Sequence, residues 1–205
     1  MSDTSAVHVL VFDGFADWEP AHALAELRRW GQRSVRAVGF TPAPVTSMGG
    51  LRVHPDTTLE AVAIDEVELL LMPGGDMWEQ PSAYPRQRLD SLITRLVEIE
   101  RPVAAICAAT LALGRAGVLN DRRHTSNARG YLPAHASEYT GALHYVDAHA
   151  VRDRQVITAS GLAPVDFARE IFAELQIFNA ADEALWYTMF RDGKVPAARG
   201  EAGTH

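Results

Sequence analysis

Pro102-Val103-Ala104-Ala105-Ile106-Cys107-Ala108-Ala109-Thr110-Leu111 carries the chain's one cysteine at a change of local pattern. Val103 to Ile106 is a short apolar run suited to a buried strand. The residues from Ala108 to Arg115 are rich in alanine and leucine, which favour helix. A residue at such a junction stands out from the sheet edge beside the free N–H groups of the new helix. Those groups and the helix dipole favour an anion, so Cys107 is expected to ionise there. A sharp turn also needs small neighbours, and Ala105 and Ala109 flank the cysteine at two residues on either side. The pattern is that of a nucleophile elbow with Cys in place of Ser and Ala in place of Gly. The competing reading is a small buried hydrophobe, a common role for a free cysteine.

Working outward toward the N-terminus, Arg86 to Ile99 spaces Leu89, Leu92, Ile93, Leu96 and Val97 as one helical face. Glu68 to Met72 is an apolar strand that stops abruptly at Pro73-Gly74-Gly75-Asp76. Ser34 to Phe40 reads as a strand, followed by a Pro/Gly-rich connection over 41–50 and a short extended piece at Leu51 to Val53. Val7 to Phe12 is apolar almost throughout, as in a strand buried on both faces. Asp17 is expected to cap a helix from about Glu19 to Trp30, closed by Gly31.

Toward the C-terminus, the elbow helix closes near Gly117, and Leu119 to Asn127 is a turn-and-strand region containing His124. Tyr145 to Ala150 and Gln155 to Thr158 read as strands joined through Arg152-Asp153-Arg154. Helices follow at Pro164 to Phe178 and Ala181 to Phe190. One domain is expected over residues 1–195, with a frayed tail from Pro196 to His205. Strands alternating with helices imply an α/β three-layer sandwich on a mostly parallel sheet. In such sheets sites gather at the carboxyl ends of strands. The loop leading to Glu19, the Gly74-Gly75 turn and Cys107 all fall at such ends.

Composition narrows the function. The 205 residues are long enough for one well-buried domain, and the net charge of −7 gives no electrostatic reason to expect nucleic acid or an anionic membrane as partner. One cysteine excludes an internal disulfide and a cysteine-based zinc cluster. No apolar run approaches the length of a membrane span, and Met1 to Ser5 lacks the basic segment of a signal peptide, so the cytoplasm is the expected compartment. The histidines show no metal-ligand spacing, and neither a metal nor another cofactor is expected.

The chemistry centres on Cys107 as nucleophile. Gly74 and Gly75 allow close approach of the backbone, and an N–H there, with that of Ala108, would form a two-donor oxyanion hole. Most Gly-Gly pairs are merely turns. Glu19 would be a plain dipole partner in a helix's first turn unless it points at Cys107. In that case it would share or move the thiol proton, with Trp18 and Pro20 excluding water. His124, in Arg122-Arg123-His124-Thr125-Ser126-Asn127, is the best imidazole partner for the thiol. Ser160-Gly161 reads as a helix-start loop that could also line the site. The loops around Asp76-Met77-Trp78 and from Tyr131 to Tyr145 would select the substrate.

Four features together resemble the DJ-1/PfpI (ThiJ) family of the class I glutamine amidotransferase-like superfamily. They are the early strand with Asp17-Trp18-Glu19-Pro20, the strand ending in Pro73-Gly74-Gly75, the Ala105-Ile106-Cys107-Ala108-Ala109-Thr110 elbow, and the downstream His124-Thr125-Ser126. The resemblance covers roughly residues 7 to 178 and implies a flavodoxin-like sandwich, a homodimer, and a reactive cysteine close to a helix-borne glutamate. By matching position, Cys107 is the nucleophile, Glu19 its acidic partner, and Gly75 with Ala108 the oxyanion donors. PfpI-type proteases carry histidine immediately after the cysteine, where this chain has Ala108, so that compact triad is absent. His124 is the nearest match to a downstream histidine, and the C-terminal His-x-Glu of true glutamine amidotransferases is missing.

Two functional expectations follow. One is a cysteine-dependent hydrolase or glyoxalase/deglycase-like enzyme acting on a small carbonyl, amide or peptide substrate. The other is a stress-response or redox-sensing protein in which Cys107 is oxidised.

Overall fold

The structure, a computed structural model, describes residues 5–195. In chain order it comprises β1 (Ala6–Leu10), α1 (Trp18–Arg29), β2 (Val35–Gly39), β3 (Val45–Thr46), β4 (Arg52–Val53), β5 (Thr57–Thr58), β6 (Val67–Met72), α2 (Arg86–Glu98) and β7 (Val103–Ile106). Then come α3 (Thr110–Arg115), α4 (Tyr131–His135), β8 (Ala150–Asp153), β9 (Val156–Ala159), α5 (Pro164–Glu174) and α6 (Ala180–Asp192). Seven strands form one sheet in the order β5-β2-β1-β6-β7-β9-β8. All neighbours are parallel except β8, which returns antiparallel along β9. β3 and β4 form a separate two-stranded antiparallel hairpin.

The period of two along each strand makes the three layers. Leu69 and Leu71 of β6, with Val7, Val9, Ala104 and Ile106 of its neighbours, face one side, against Ala23 and Leu27 of α1 and Phe167, Ile171 and Phe172 of α5. Leu70 and Met72, with Val103 and Ala105, face the other, against Leu89, Leu92, Ile93 and Leu96 of α2 and Leu111 of α3. Both faces are therefore apolar, as a parallel sheet covered on both sides requires. Among the described residues no helix is long and apolar enough to cross a membrane.

The structure departs from the sequence reading in four places. Tyr145 does not open a strand. It makes an isolated bridge to His124 and packs its ring on the His124 imidazole and under the Arg129 guanidinium. The ladder begins instead at Ala150, and Arg152 and Asp153 belong to β8, with the turn at Arg154 and Gln155. α5 stops at Glu174, and Gln176 takes a left-handed φ of 52° that no helix continues. Asp17 stands at the N-cap position of α1 but makes no side-chain capping bond, and its carboxylate instead accepts the Ser47 hydroxyl at 2.5 Å. The elbow helix starts at Thr110, after a 3-10 turn over Cys107–Ala109. The expected tail from Pro196 lies outside the described residues.

Leu71 is fully buried at the centre of the sheet on the α5 side. Leu71→Ala should cost about 3 kcal/mol, read as a lower urea midpoint with an unchanged slope.

Candidate active site

Four adjacent strands, β1, β6, β7 and β9, point their carboxyl ends at one place. The segment after β1 leads to Glu19 in the first turn of α1, β6 runs into Gly74 and Gly75, β7 into Cys107, and β9 into Gly161. Two hydrogen bonds tie the first of these segments to the second. The Ala16 N–H donates to the Gly74 carbonyl at 3.0 Å, and the Gly74 N–H donates to Glu19 Oε2 at 2.6 Å.

Glu19 is 1% exposed and hydrogen-bonds the Cys107 thiol. The pair lies between two glycine backbones. A methyl group added at Gly74 would fall 2.7 Å from Cys107 Cβ and 2.8 Å from Glu19 Oε2; one added at Gly161 would fall 2.8 Å from Cys107 Sγ and 3.0 Å from Glu19 Oε1. Gly75 is required by conformation as well, with φ of 153° and the Phe12 ring 2.7 Å from where a Cβ would stand. Cys107 itself holds φ of 60°, a left-handed backbone that costs an ordinary residue roughly 1–2 kcal/mol and lifts its side chain off the sheet edge.

The electrostatics reverse one expectation. Burial pushes the Glu19 carboxyl up to about 7, against the opposing pull of the Gly74 N–H and the thiol. Burial and the neighbouring Glu19 charge push Cys107 up to about 11, although the Asn127 amide and the Ala108 N–H favour its anion. The elbow was expected to ionise its cysteine; here the thiol keeps its proton at neutral pH. The dipole is too slight to prevail, since α3 has six residues and starts three positions beyond Cys107.

His124 is not brought to the thiol. Its ring is fully buried, with Nδ1 on the Arg122 carbonyl at 2.7 Å and Nε2 on the Tyr139 hydroxyl at 2.7 Å, so neither nitrogen is left for Cys107. Burial also lowers its pKa. The same segment reaches the site through Asn127, whose Nδ2 donates to Cys107 Sγ at 3.4 Å while its Oδ1 accepts the Gly161 N–H at 3.0 Å. An extended chain advances about 3.3 Å per residue, so the side chain three positions on lies roughly 10 Å further along. Asn127 stood in the segment singled out in the sequence, yet no local pattern marks it as the residue that arrives.

Gly74 needs a second correction, because its N–H is spent on Glu19 and is not available to an oxyanion. Gly75, Asp76 and Ala108 do line a cavity of about 220 Å³ over the thiol, together with Trp18, Glu19, Met48, Glu79, Asn127 and Tyr131. Trp78 is absent from that wall. It is wholly buried in the core, with its indole N–H donating to the Pro73 carbonyl at 2.8 Å.

A family model for DJ-1/PfpI matches residues 5–174. The chain belongs to the DJ-1/PfpI family. This DJ-1/PfpI protein is 33% identical over 198 residues to the uncharacterized protease YoaZ of Bacillus subtilis (strain 168), covering 93% of each chain. It is 31% identical over 120 residues, 58% of this chain and 70% of the other, to deglycase TK1284 of Thermococcus kodakarensis. To isonitrile hydratase of Pseudomonas putida it is 33% identical over 135 residues, 64% of this chain and 55% of that one. The crystal structure of DJ-1 superfamily protein Atu0886 from Agrobacterium tumefaciens superposes with a TM-score of 0.84 at 39% identity, covering 93% of this chain and 100% of that one. Relatives of this DJ-1/PfpI protein thus carry the names of several enzymes, and the names differ in the reaction.

Two outcomes follow from the Cys107–Glu19 geometry. A carboxyl raised from 4.5 to about 7 destabilises the fold as pH rises through that interval, by about 3 kcal/mol once complete. Glu19→Gln, which keeps an acceptor for Gly74 and a donor for the thiol, should therefore be more stable than the parent at pH 8 by about that amount, with the gap closing toward pH 4 in urea melts. Gly161→Ala should slow iodoacetamide labelling of Cys107 by about tenfold or more and lower the melting temperature by a few degrees, because its methyl would stand 2.8 Å from Cys107 Sγ and 2.9 Å from Cys107 Cβ, where something must shift to make room.

Proposed function

We propose that this DJ-1/PfpI protein is a cysteine-dependent enzyme that hydrolyses or hydrates a small carbonyl or amide substrate. Cys107 is the nucleophile, Glu19 its proton-transfer partner, and the N–H groups of Gly75 and Ala108 are the oxyanion donors. The observation that carries this reading is the buried Glu19 carboxyl, poised at about 7 and hydrogen-bonded to the thiol at the base of a cavity sized for a small molecule.

The resting pair above neutrality is a carboxylate beside a neutral thiol. As Sγ bonds to the substrate carbon, the thiol proton passes to Glu19 and the carbonyl electrons collect on oxygen, facing the two N–H donors. With an amide, the C–N bond then breaks, the amine leaves with the proton from Glu19, and a thioester remains. With a 2-oxoaldehyde, Glu19 first returns the thiol proton to the oxyanion; the C–H proton of the hemithioacetal then passes by way of Glu19 to the neighbouring carbonyl carbon while the hydroxyl proton moves to that carbonyl's oxygen, giving a 2-hydroxy thioester. Water cleaves the thioester, giving its proton to Glu19 as the acid product departs and the thiol is restored. Asn127 steadies the sulfur throughout, taking the place in which an imidazole was expected.

The redox-sensing alternative is the less favoured reading, since burial and the neighbouring Glu19 charge raise the thiol and so disfavour the thiolate that peroxide attacks. The proposal retains the cytoplasmic homodimer that composition and family resemblance suggest.

The test is turnover of methylglyoxal, simple amides and short peptides by the parent, Cys107→Ala and Glu19→Gln. Both variants should be inactive yet folded, and turnover surviving in Cys107→Ala would overturn the reading. Because the carboxylate form must accept the proton, kcat/KM should climb with an apparent pKa of about 7 and fall about tenfold per unit below it.

A further inference from the structure

The wall of the Cys107 cavity is acidic. Glu19, Asp76 and Glu79 line it, and no lysine, arginine or histidine does. Asp76 and Glu79 stand on one short 3-10 turn directly after Gly75, so both carboxylates belong to the mouth through which a substrate enters. The Tyr131 hydroxyl reaches across from α4 and donates to Glu79 Oε1 at 3.0 Å, holding that carboxylate in place. Arg115 and Arg129 are engaged elsewhere. Arg115 is buried behind the wall, bonded to the Trp78 carbonyl, the Tyr84 hydroxyl and the His135 carbonyl. Arg129 lies over the Tyr145 ring, 4.9 Å from its centroid. The remaining rim is apolar, formed by the half-exposed Trp18 and Met48.

An anionic substrate entering this cavity would lose water and find no cation to replace it, beside carboxylates at contact range. Burial first, and then the Glu79 carboxylate, raise the Tyr131 hydroxyl on the same wall, so the Glu79 charge is felt inside the cavity.

We propose that Asp76 and Glu79 are specificity determinants that make this site take uncharged or amine-bearing electrophiles and reject those carrying a carboxylate or phosphate near the reactive carbon. The inference deepens the proposed function, resting on Cys107 as the nucleophile. It can be tested on labelling alone, without turnover.

The experiment measures modification of Cys107 by three methanethiosulfonates, the neutral methyl, the cationic 2-trimethylammonioethyl and the anionic 2-sulfonatoethyl reagents. In each, Sγ attacks the sulfenyl sulfur, a disulfide forms, and methanesulfinate leaves with the electron pair of the broken S–S bond; the thiol proton passes through Glu19 to solvent. The chain has one cysteine, so intact mass reports this site alone. Rates are divided by those for 2-mercaptoethanol to remove intrinsic reactivity.

The cationic reagent should outpace the anionic one by about tenfold at low ionic strength, with the ratio shrinking in high salt. In D76N/E79Q the ratio should collapse toward one, with a parent-like circular dichroism spectrum and cooperative melting showing that the variant is folded. Equal cationic and anionic rates in the parent overturn the inference and leave the proposed reaction standing. A ratio that survives in D76N/E79Q overturns the assignment to these two residues. Labelling by none of the three reagents overturns it as well, since the cavity would then admit no small electrophile. Charge discrimination without turnover of any substrate overturns the proposed reaction and leaves the specificity inference standing.

Discussion

The hydrogen bond from the Gly74 N–H to Glu19 is the contact on which the site depends. It places a carboxyl that is all but excluded from water against the turn after β6, beside the thiol delivered by β7. Without it the carboxyl would have one fewer reason to stay buried, and the Cys107 proton would have no acceptor at hand. The contact also explains why Gly74 belongs to the support of the site while Gly75 reaches its surface. The Gly74 N–H is spent on holding the acid, whereas Gly75 lines the cavity.

A parallel sheet makes this arrangement natural. Because β1, β6, β7 and β9 all run the same way and lie side by side, the segments that leave them share one edge although they come from distant parts of the chain. Close approach then needs small residues, and glycine stands on both sides of the Cys107–Glu19 pair. The cost is carried by the rest of the fold. A left-handed cysteine and a buried carboxyl both oppose stability, and the two apolar layers on the sheet faces offset them.

That balance shapes the chemistry. A thiol pushed up by burial and by its acidic neighbour is not a standing thiolate, so in the proposed reaction the nucleophile forms only as the substrate arrives and Glu19 takes the proton. Asn127 and the Ala108 N–H pull in the opposite direction, stabilising the sulfur anion once it exists. The proposed reaction thereby couples the reactivity of this DJ-1/PfpI protein to occupancy of the cavity.

Much of this was legible from residue order, because the rules involved are local. Nearly continuous apolar runs marked β1, β6 and β7, helical spacing marked α2, and the change of pattern at Cys107 marked the elbow. Glycines at 74 and 75 and a carboxylate at 19 could each be placed at a strand end by the same reasoning. What residue order could not supply was the set of contacts made between those ends. His124 and Asn127 lie three positions apart in one extended segment, and packing of Tyr139 and Tyr145 around the imidazole sent the histidine inward and the asparagine to the thiol. Likewise the elbow suggested an acidic thiol from its helix dipole, whereas burial and the Glu19 charge, both products of the assembled layers, set the opposite direction. The sequence by itself determined the alternating layers and the position of the elbow cysteine, because neighbours along the chain decide strand, helix and turn. Only the tertiary structure decided which groups touch that cysteine and in which direction its thiol is shifted, because desolvation and charge act through space.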